Sequence, residues 1–364
     1  MRHGGDIYRN RVELDFSVNL NPKPVPASVL SALQEGMRQA GAYPDPEQER
    51  VREALALADG AERECVFAGN GASELLMASV RAFHPRAALL FEPCYSGYRY
   101  ALSSLPDCEI REAYLAEDSG FAPTEDLLFT KAGEDWPEGG MLFLTDPWNP
   151  SGINLDDALL CRILELAAFR GITVILDQSF YTLSEKCGRS RGEKPGFSDR
   201  AGELTGRFGN LVILRSYTKL FSLPGIRMGY VISCGENIRR IRRQLPEWNL
   251  SSAAACAMEA CAELTRRSGY EVFDAAEIRE EREYLTRELT DLGFRVYGSD
   301  TVFLLFRAEP DLGSRLLSRG ILIRDCAAWP GLGRGYYRIA VKSRGENRLL
   351  IENIRKIQKG DCSA

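Results

Sequence analysis

Between Pro46 and Ser233, short apolar runs alternate with stretches of helical periodicity, and that alternation limits the fold more than any other feature of the sequence. Ala87–Phe91, Met141–Thr145, Ile172–Asp177, Leu211–Arg215 and Met228–Ser233 are nearly continuous in apolar side chains. Strands buried on both faces read this way, as in a mostly parallel sheet covered by helices. One intervening stretch, Asp156–Arg170, carries Leu159, Leu160, Ile163, Leu166 and Ala167 at helical spacing and opens on two acids, which suit the positive end of a helix dipole. The fold class predicted is α/β, with a mostly parallel sheet.

After about Gly235 the pattern changes. Helices are expected over Glu236–Gln244, Ser252–Arg266 and Asp274–Leu292, with strands at Phe294–Tyr297, Val302–Arg307, Ile321–Arg324 and Tyr337–Val341. This reads as a smaller α+β unit, on which the N-terminal segment with its Pro-rich stretch Asn19–Pro26 is expected to pack. Ser184–Gly209 is polar and glycine-rich and reads as a loop or insertion.

Composition removes several classes of function. With 45% hydrophobic and 27% charged residues the chain is neither disordered nor low in complexity. A net charge of −5 argues against a sequence-independent grip on nucleic acid. No apolar run approaches the ~20 residues that span a bilayer, and the first ten residues lack the apolar core of a secretory signal. The ten cysteines are scattered singly and read as reduced, buried thiols, so a cytoplasmic protein is expected. Only two histidines, His3 and His84, are present, which excludes a histidine-rich metal site, and no metal is expected. His84 reads as the end of a helix. A Ser-His-Asp or Cys-His apparatus would have to use one of these two histidines; if the chain is an enzyme, its proton chemistry is expected to rest on Lys, Asp, Tyr or a cofactor.

Four stretches could carry chemistry. Gly69-Asn70-Gly71-Ala72-Ser73-Glu74 precedes an apolar helical run, so its backbone N–H groups and the helix dipole suit an anion, although a plain loop-to-helix turn is the commoner reason for such a stretch. Asp177 closes the strand Ile172–Asp177, where ligands of open α/β sheets bind, although an N-cap is the simpler role. Asp146-Pro-Trp-Asn149-Pro-Ser-Gly152 follows another strand and also reads as a tight turn. Lys219, in Arg215-Ser216-Tyr217-Thr218-Lys219, follows a buried strand amid apolar residues. Such a lysine is a candidate for a depressed amine pKa, or for a packed stem with its head in water.

Taken in chain order (the Gly69–Glu74 cradle, the Asn149 turn, the strand-end Asp177, then Lys219), the four stretches resemble fold-type I pyridoxal-phosphate enzymes, specifically the class I/II aminotransferase superfamily, over nearly the whole chain. The resemblance implies pyridoxal 5'-phosphate as cofactor. It implies a large cofactor-binding domain over 40–245 and a small domain formed by 1–39 and 246–364. By the same resemblance Lys219 is the residue to which the cofactor attaches, Asp177 pairs with its pyridine nitrogen, Asn149 bonds its phenolic oxygen and Tyr95 stacks on its ring. Ala72, Ser73, Ser216, Thr218 and Arg227 match the phosphate-binding set. Tyr43 matches a tyrosine that reaches the neighbouring subunit's phosphate, which implies a homodimer with shared sites. Arg338 matches the arginine that clamps the substrate carboxylate.

Within the superfamily, His3-Gly4-Gly5-Asp6 and Asp15-Phe-Ser-Val-Asn19-Leu-Asn21-Pro22 are similar to threonine-phosphate decarboxylases of cobalamin biosynthesis. That similarity places His3 and Asn19 near the substrate, and Arg324 matches a basic residue directed to a substrate phosphate; taken alone, His3 reads as an untethered terminal residue. Histidinol-phosphate aminotransferases are the next resemblance, and a non-catalytic cofactor-binding protein a remote third. Where the superfamily usually has Asp-Glu-Ala, this chain has Asp177-Gln178-Ser179, which is expected to remove a charge beside the cofactor.

Overall fold

The computed structural model describes residues 4–131, 135–187 and 196–360. In chain order its strands are β1 (Leu14–Asp15), β2 (Val66–Asn70), β3 (Ala87–Glu92), β4 (Glu109–Tyr114), β5 (Met141–Thr145), β6 (Thr173–Asp177), β7 (Leu211–Ser216), β8 (Met228–Ser233), β9 (Arg295–Val296), β10 (Phe303–Arg307), β11 (Ile321–Leu322), β12 (Arg324–Asp325) and β13 (Tyr336–Ala340). Among the described residues no helix is long and apolar enough to cross a membrane.

Seven strands form one sheet in the order β2-β8-β7-β6-β5-β3-β4. Neighbours from β7 to β4 are parallel, and β8 alone runs against both β7 and β2. The apolar runs follow from burial on both faces: Met141 and Phe143 join one apolar cluster, while Leu142 and Leu144 join the other. The helix Ala72–Phe83 covers the first face with Leu75, Leu76 and Val80; Asp157–Phe169 covers the second with Leu160, Ile163 and Leu164. Asp156 caps the latter helix by accepting from Leu159 N, and His84 ends the former in a left-handed conformation. Because β8 is reversed, the carboxyl ends of β5, β6, β7 and β2 and the start of β8 all meet at one edge. Thr145 lies opposite Asp177, Ser216 opposite Gly229, and Asn70 opposite Met228.

A second sheet, β12-β13-β10-β9, is antiparallel, and β1 pairs with β11 in a separate parallel pair. The N-terminal segment pairs with the C-terminal part of the chain at β11, and its helix Ala27–Arg38 lies along Ser252–Val272.

Three details differ from the sequence expectations. β2 and β4 were not expected: β2 ends on Gly-Asn, and β4 is an edge strand whose exposed positions carry Glu109 and Tyr114. The single run Ile321–Arg324 is divided between two sheets. Within Ser184–Gly209, the residues Ala201–Arg207 are a helix that buries Ala201, Leu204 and Thr205; its two glycines hid the periodicity. Residues 188–195 of that stretch lie outside the described residues.

Candidate active site

A cavity of about 460 Å³ opens at that common sheet edge. Its wall contains Ala72, Ser73, Tyr95, Asn149, Asp177, Ser216, Thr218, Lys219 and Arg227 from the large sheet and its loops, together with Asn19, Arg324 and Arg338. The parallel topology explains the convergence, since loops after parallel strands share one edge.

Lys219 lies in the short helix Tyr217–Leu220, directly after β7. Its Nζ stands 4.5 Å from the Phe180 ring centroid. Burial lowers its pKa from 10.5 to about 8; the Asp177 charge opposes that shift, and Arg227 and Arg338 add to it. Asn21 fixes this turn from the N-terminal segment: its backbone N–H donates to Lys219 O (3.1 Å), and its amide donates to Leu220 O (2.8 Å) and Val272 O (2.7 Å).

Asp177 is buried at the end of β6. Its Oδ1 accepts from Ser179 N at 2.8 Å, and its Oδ2 accepts from the Tyr98 hydroxyl at 2.8 Å. That hydroxyl is also 2.8 Å from Thr145 Oγ1, which donates to it once its own proton goes to the carboxylate. Tyr98 was missed in the sequence, although it follows Tyr95 by three residues in a helical turn. A tyrosine buried there needs a partner for its hydroxyl.

Gln178 does not act where its neighbour suggested. Its Oε1 accepts from Arg215 Nε (3.0 Å) and Nη2 (2.9 Å), on the face of β6 away from the cavity, and Arg215 is ion-paired with the buried Asp59. The expectation of a charge removed beside the cofactor is therefore corrected: alternation along the chain turns Gln178 to the opposite side from Asp177.

The helix Ala72–Phe83 starts at the cavity without a side-chain cap, leaving its first N–H groups available. Gly71 sits at φ 81°, and a Cβ there would collide with the Arg227 guanidinium; a Cβ on Gly229 would collide with Ala72 N. Two glycines thus let an arginine and a strand approach the helix start. Ser216 Oγ donates to Met228 O (3.1 Å), and the Thr218 hydroxyl both donates to Met228 O (3.0 Å) and accepts from Met228 N (3.0 Å). Tyr95 stands edge-on to Tyr98, with ring centroids 5.5 Å apart.

On the other side of the cavity, Arg324 of β12 and Arg338 of β13 are register partners. Arg338 Nη1 donates to Asn149 Oδ1 (2.5 Å) and Nη2 to Ser17 O (3.3 Å). Burial lowers the Arg338 pKa to about 10, and the Arg324 charge contributes. Both Asn19 amide atoms are buried without a partner among the described residues. His3 lies outside the described residues, although Gly4 is part of the wall. Tyr43 is not brought to this cavity: it is 80% exposed and packs on Trp248, with ring centroids 4.7 Å apart.

The donor set fits pyridoxal 5'-phosphate. A helix start with Ser73 and Arg227 suits a phosphate dianion, a buried carboxylate suits a protonated ring nitrogen, and a buried amine of lowered pKa suits attachment to an aldehyde. Among the described residues the cavity wall holds four cationic side chains, Lys219, Arg227, Arg324 and Arg338, against the carboxylate of Asp177, which favours anions. Fold and site together define a pyridoxal-phosphate-dependent enzyme of fold type I. The chain belongs to the class I and II aminotransferase family, whose model matches residues 11–354. It is 32% identical over 375 residues to the threonine-phosphate decarboxylase of Salmonella typhimurium, covering 100% of this chain and 98% of that protein. It is 29% identical to a histidinol-phosphate aminotransferase of Caldanaerobacter subterraneus subsp. tengcongensis, covering 94% of this chain and 92% of that protein. Among solved structures, the histidinol-phosphate aminotransferase of Clostridium acetobutylicum superposes with a TM-score of 0.82 at 26% identity, covering 95% of this chain and 99% of that one.

Proposed function

We propose that this protein is a decarboxylase of an O-phosphorylated amino acid, with threonine phosphate as the substrate. It works as a cytoplasmic homodimer whose large domain spans 40–245 and whose small domain is formed by 1–39 and 246–364. One observation carries the substrate class: two arginines, Arg324 and Arg338, lie side by side in the wall, beyond the phosphate-binding helix start. A substrate with a single carboxylate needs one of them; the second calls for a second anionic group. The likeness to the Salmonella decarboxylase along the whole chain supports the reaction.

In this reading Ala72, Ser73, Ser216, Thr218 and Arg227 hold the cofactor phosphate, with Tyr43 of the second subunit completing the site. Ser216 and Thr218 then redirect hydroxyls that now donate to Met228 O. Tyr95 covers the ring, and Asn149, fixed by Arg338, faces the phenolic oxygen. Bound pyridoxal phosphate supplies an electron sink for the pair left at Cα when a bond there breaks. Asp177 keeps a proton on the ring nitrogen, and Tyr98 and Ser179 hold that carboxylate still. Lys219, with roughly a tenth of its amine neutral at pH 7, anchors the cofactor and returns a proton to Cα. Arg338 takes the substrate carboxylate, while Arg324 with Asn19 and His3 takes its phosphate. Two anchored ends leave one orientation, and orientation decides which bond at Cα breaks.

The second reading, an aminotransferase acting on histidinol phosphate, is favoured by the likeness to enzymes of that name. Purified protein loaded with cofactor and given threonine phosphate or histidinol phosphate separates the two. Decarboxylation releases one CO2 per substrate and continues without a co-substrate. A reaction that releases no CO2 and stops after one turnover until a 2-oxo acid is added refutes the decarboxylase.

A further inference from the structure

Among the described residues, three side chains of the cavity wall hold buried polar atoms without a protein partner: both amide atoms of Asn19, Nε of Arg338 and Nε1 of Trp329. Asn19 and Arg338 already have roles, and Trp329 has none. It is 5% exposed and lies in the turn that joins β12 to β13. The turn is pinned on both sides of it, Trp329 N donating to Cys326 O and Leu332 N donating to Trp329 O, each at 3.0 Å. The strands so joined carry Arg324 and Arg338, and the Trp329 ring centroid lies 6.0 Å from one guanidinium carbon and 5.8 Å from the other.

Two like charges side by side in a buried wall repel one another and lose their water. An indole face within about 6 Å of each offsets part of that cost. The indole N–H without an acceptor is a further unrecovered desolvation. A ligand carrying several anionic oxygens relieves both. Since Arg338 already donates through Nη1 and Nη2, its edge of Nε and Nη2 matches a two-oxygen carboxylate. A phosphate held at Arg324 has three terminal oxygens and can take donors besides one guanidinium.

We propose that Trp329 is a specificity-determining residue, its indole N–H donating to the phosphate of the substrate held at Arg324 while its ring keeps both guanidinium groups in place. The inference rests on the phosphorylated-substrate reading above.

The probe is isopropyl phosphate, which has no amine and cannot be turned over; isobutyrate is its carboxylate counterpart. Both are titrated into holoenzyme by calorimetry, so the cofactor already fills its own phosphate site. Trp329→Phe keeps a ring and removes the N–H. It is expected to weaken isopropyl phosphate about tenfold or more, as for a hydrogen bond to a charged group, and isobutyrate less than about threefold. Trp329→Leu removes the ring as well and weakens both. In wild-type protein labelled with 15N-tryptophan, isopropyl phosphate should shift one of the four indole N–H resonances. Unchanged phosphate affinity in Trp329→Phe, equal losses for the two ligands, or no indole shift overturns the assignment while leaving a phosphate preference of the wild type intact. A wild type that binds isopropyl phosphate no better than isobutyrate overturns the substrate reading together with it.

Discussion

The amine expected to anchor the cofactor should destabilise the apoprotein by a calculable amount. Burial lowers the Lys219 pKa from 10.5 to about 8, and the unfolded chain keeps the ordinary value. From pH 8 to 10.5 the unfolded chain binds a proton that the folded chain does not. Stability therefore rises with pH through that window, by about 1.4 kcal/mol per pH unit. Below pH 8 both states are protonated and the deficit is constant, about 3 kcal/mol. Above 10.5 both are neutral and it disappears. Lys219→Met keeps the length of the side chain and removes the charge. The apo variant should thus be about 3 kcal/mol more stable than wild-type apoprotein at pH 7, or about 4 °C higher in Tm for a chain of this length. The gain should shrink above pH 8 and vanish near pH 11. Urea unfolding of both apoproteins between pH 6 and 10.5 measures it, and other titrating groups cancel in the difference. Equal stability at pH 7, or a gain that stays flat from pH 8 to 10.5, would refute the argument that an enclosed amine is held against its solvation.

Asp177→Asn should leave the fold intact and slow single-turnover chemistry at least about 100-fold at matched cofactor occupancy; near-normal rates would count against its role at the ring nitrogen. Tyr98→Phe preserves the stack on Phe143 (ring centroids 5.1 Å apart) but removes the bond to Asp177, so kcat should fall about tenfold with KM little changed. A change in KM alone would show that Tyr98 does not hold the carboxylate. Asp59→Asn strips the buried Arg215 of its counter-charge and should cost about 3–5 kcal/mol in urea unfolding. A loss below about 1 kcal/mol would mean that the other acceptors of Arg215, Gln178 Oε1 and Ser198 O, suffice without it.

Much of the large sheet was legible because its strands are buried on both faces and announce themselves as unbroken apolar runs. β4 was not, because an edge strand with charged positions resembles a loop. Around the site, Asp177, Asn149 and Lys219 stood out by following such runs directly. Trp329 and Asp59 gave no signal: one sits in an irregular turn, and the other is a helical acid whose partner, Arg215, is 156 positions away.

Apart from β2, β4 and the helix Ala201–Arg207, the alternation of strands and helices in the large sheet, and the residue types at its strand ends, were determined by the sequence, since local periodicity and turn chemistry depend on near neighbours. Only the tertiary structure decided that Gln178 turns away from the cavity toward Arg215, that Tyr98 holds Asp177, and that Arg324 and Arg338 stand together beside Trp329. Those contacts depend on sheet register and on which loops share an edge, and neither is encoded by the spacing of residues along one segment.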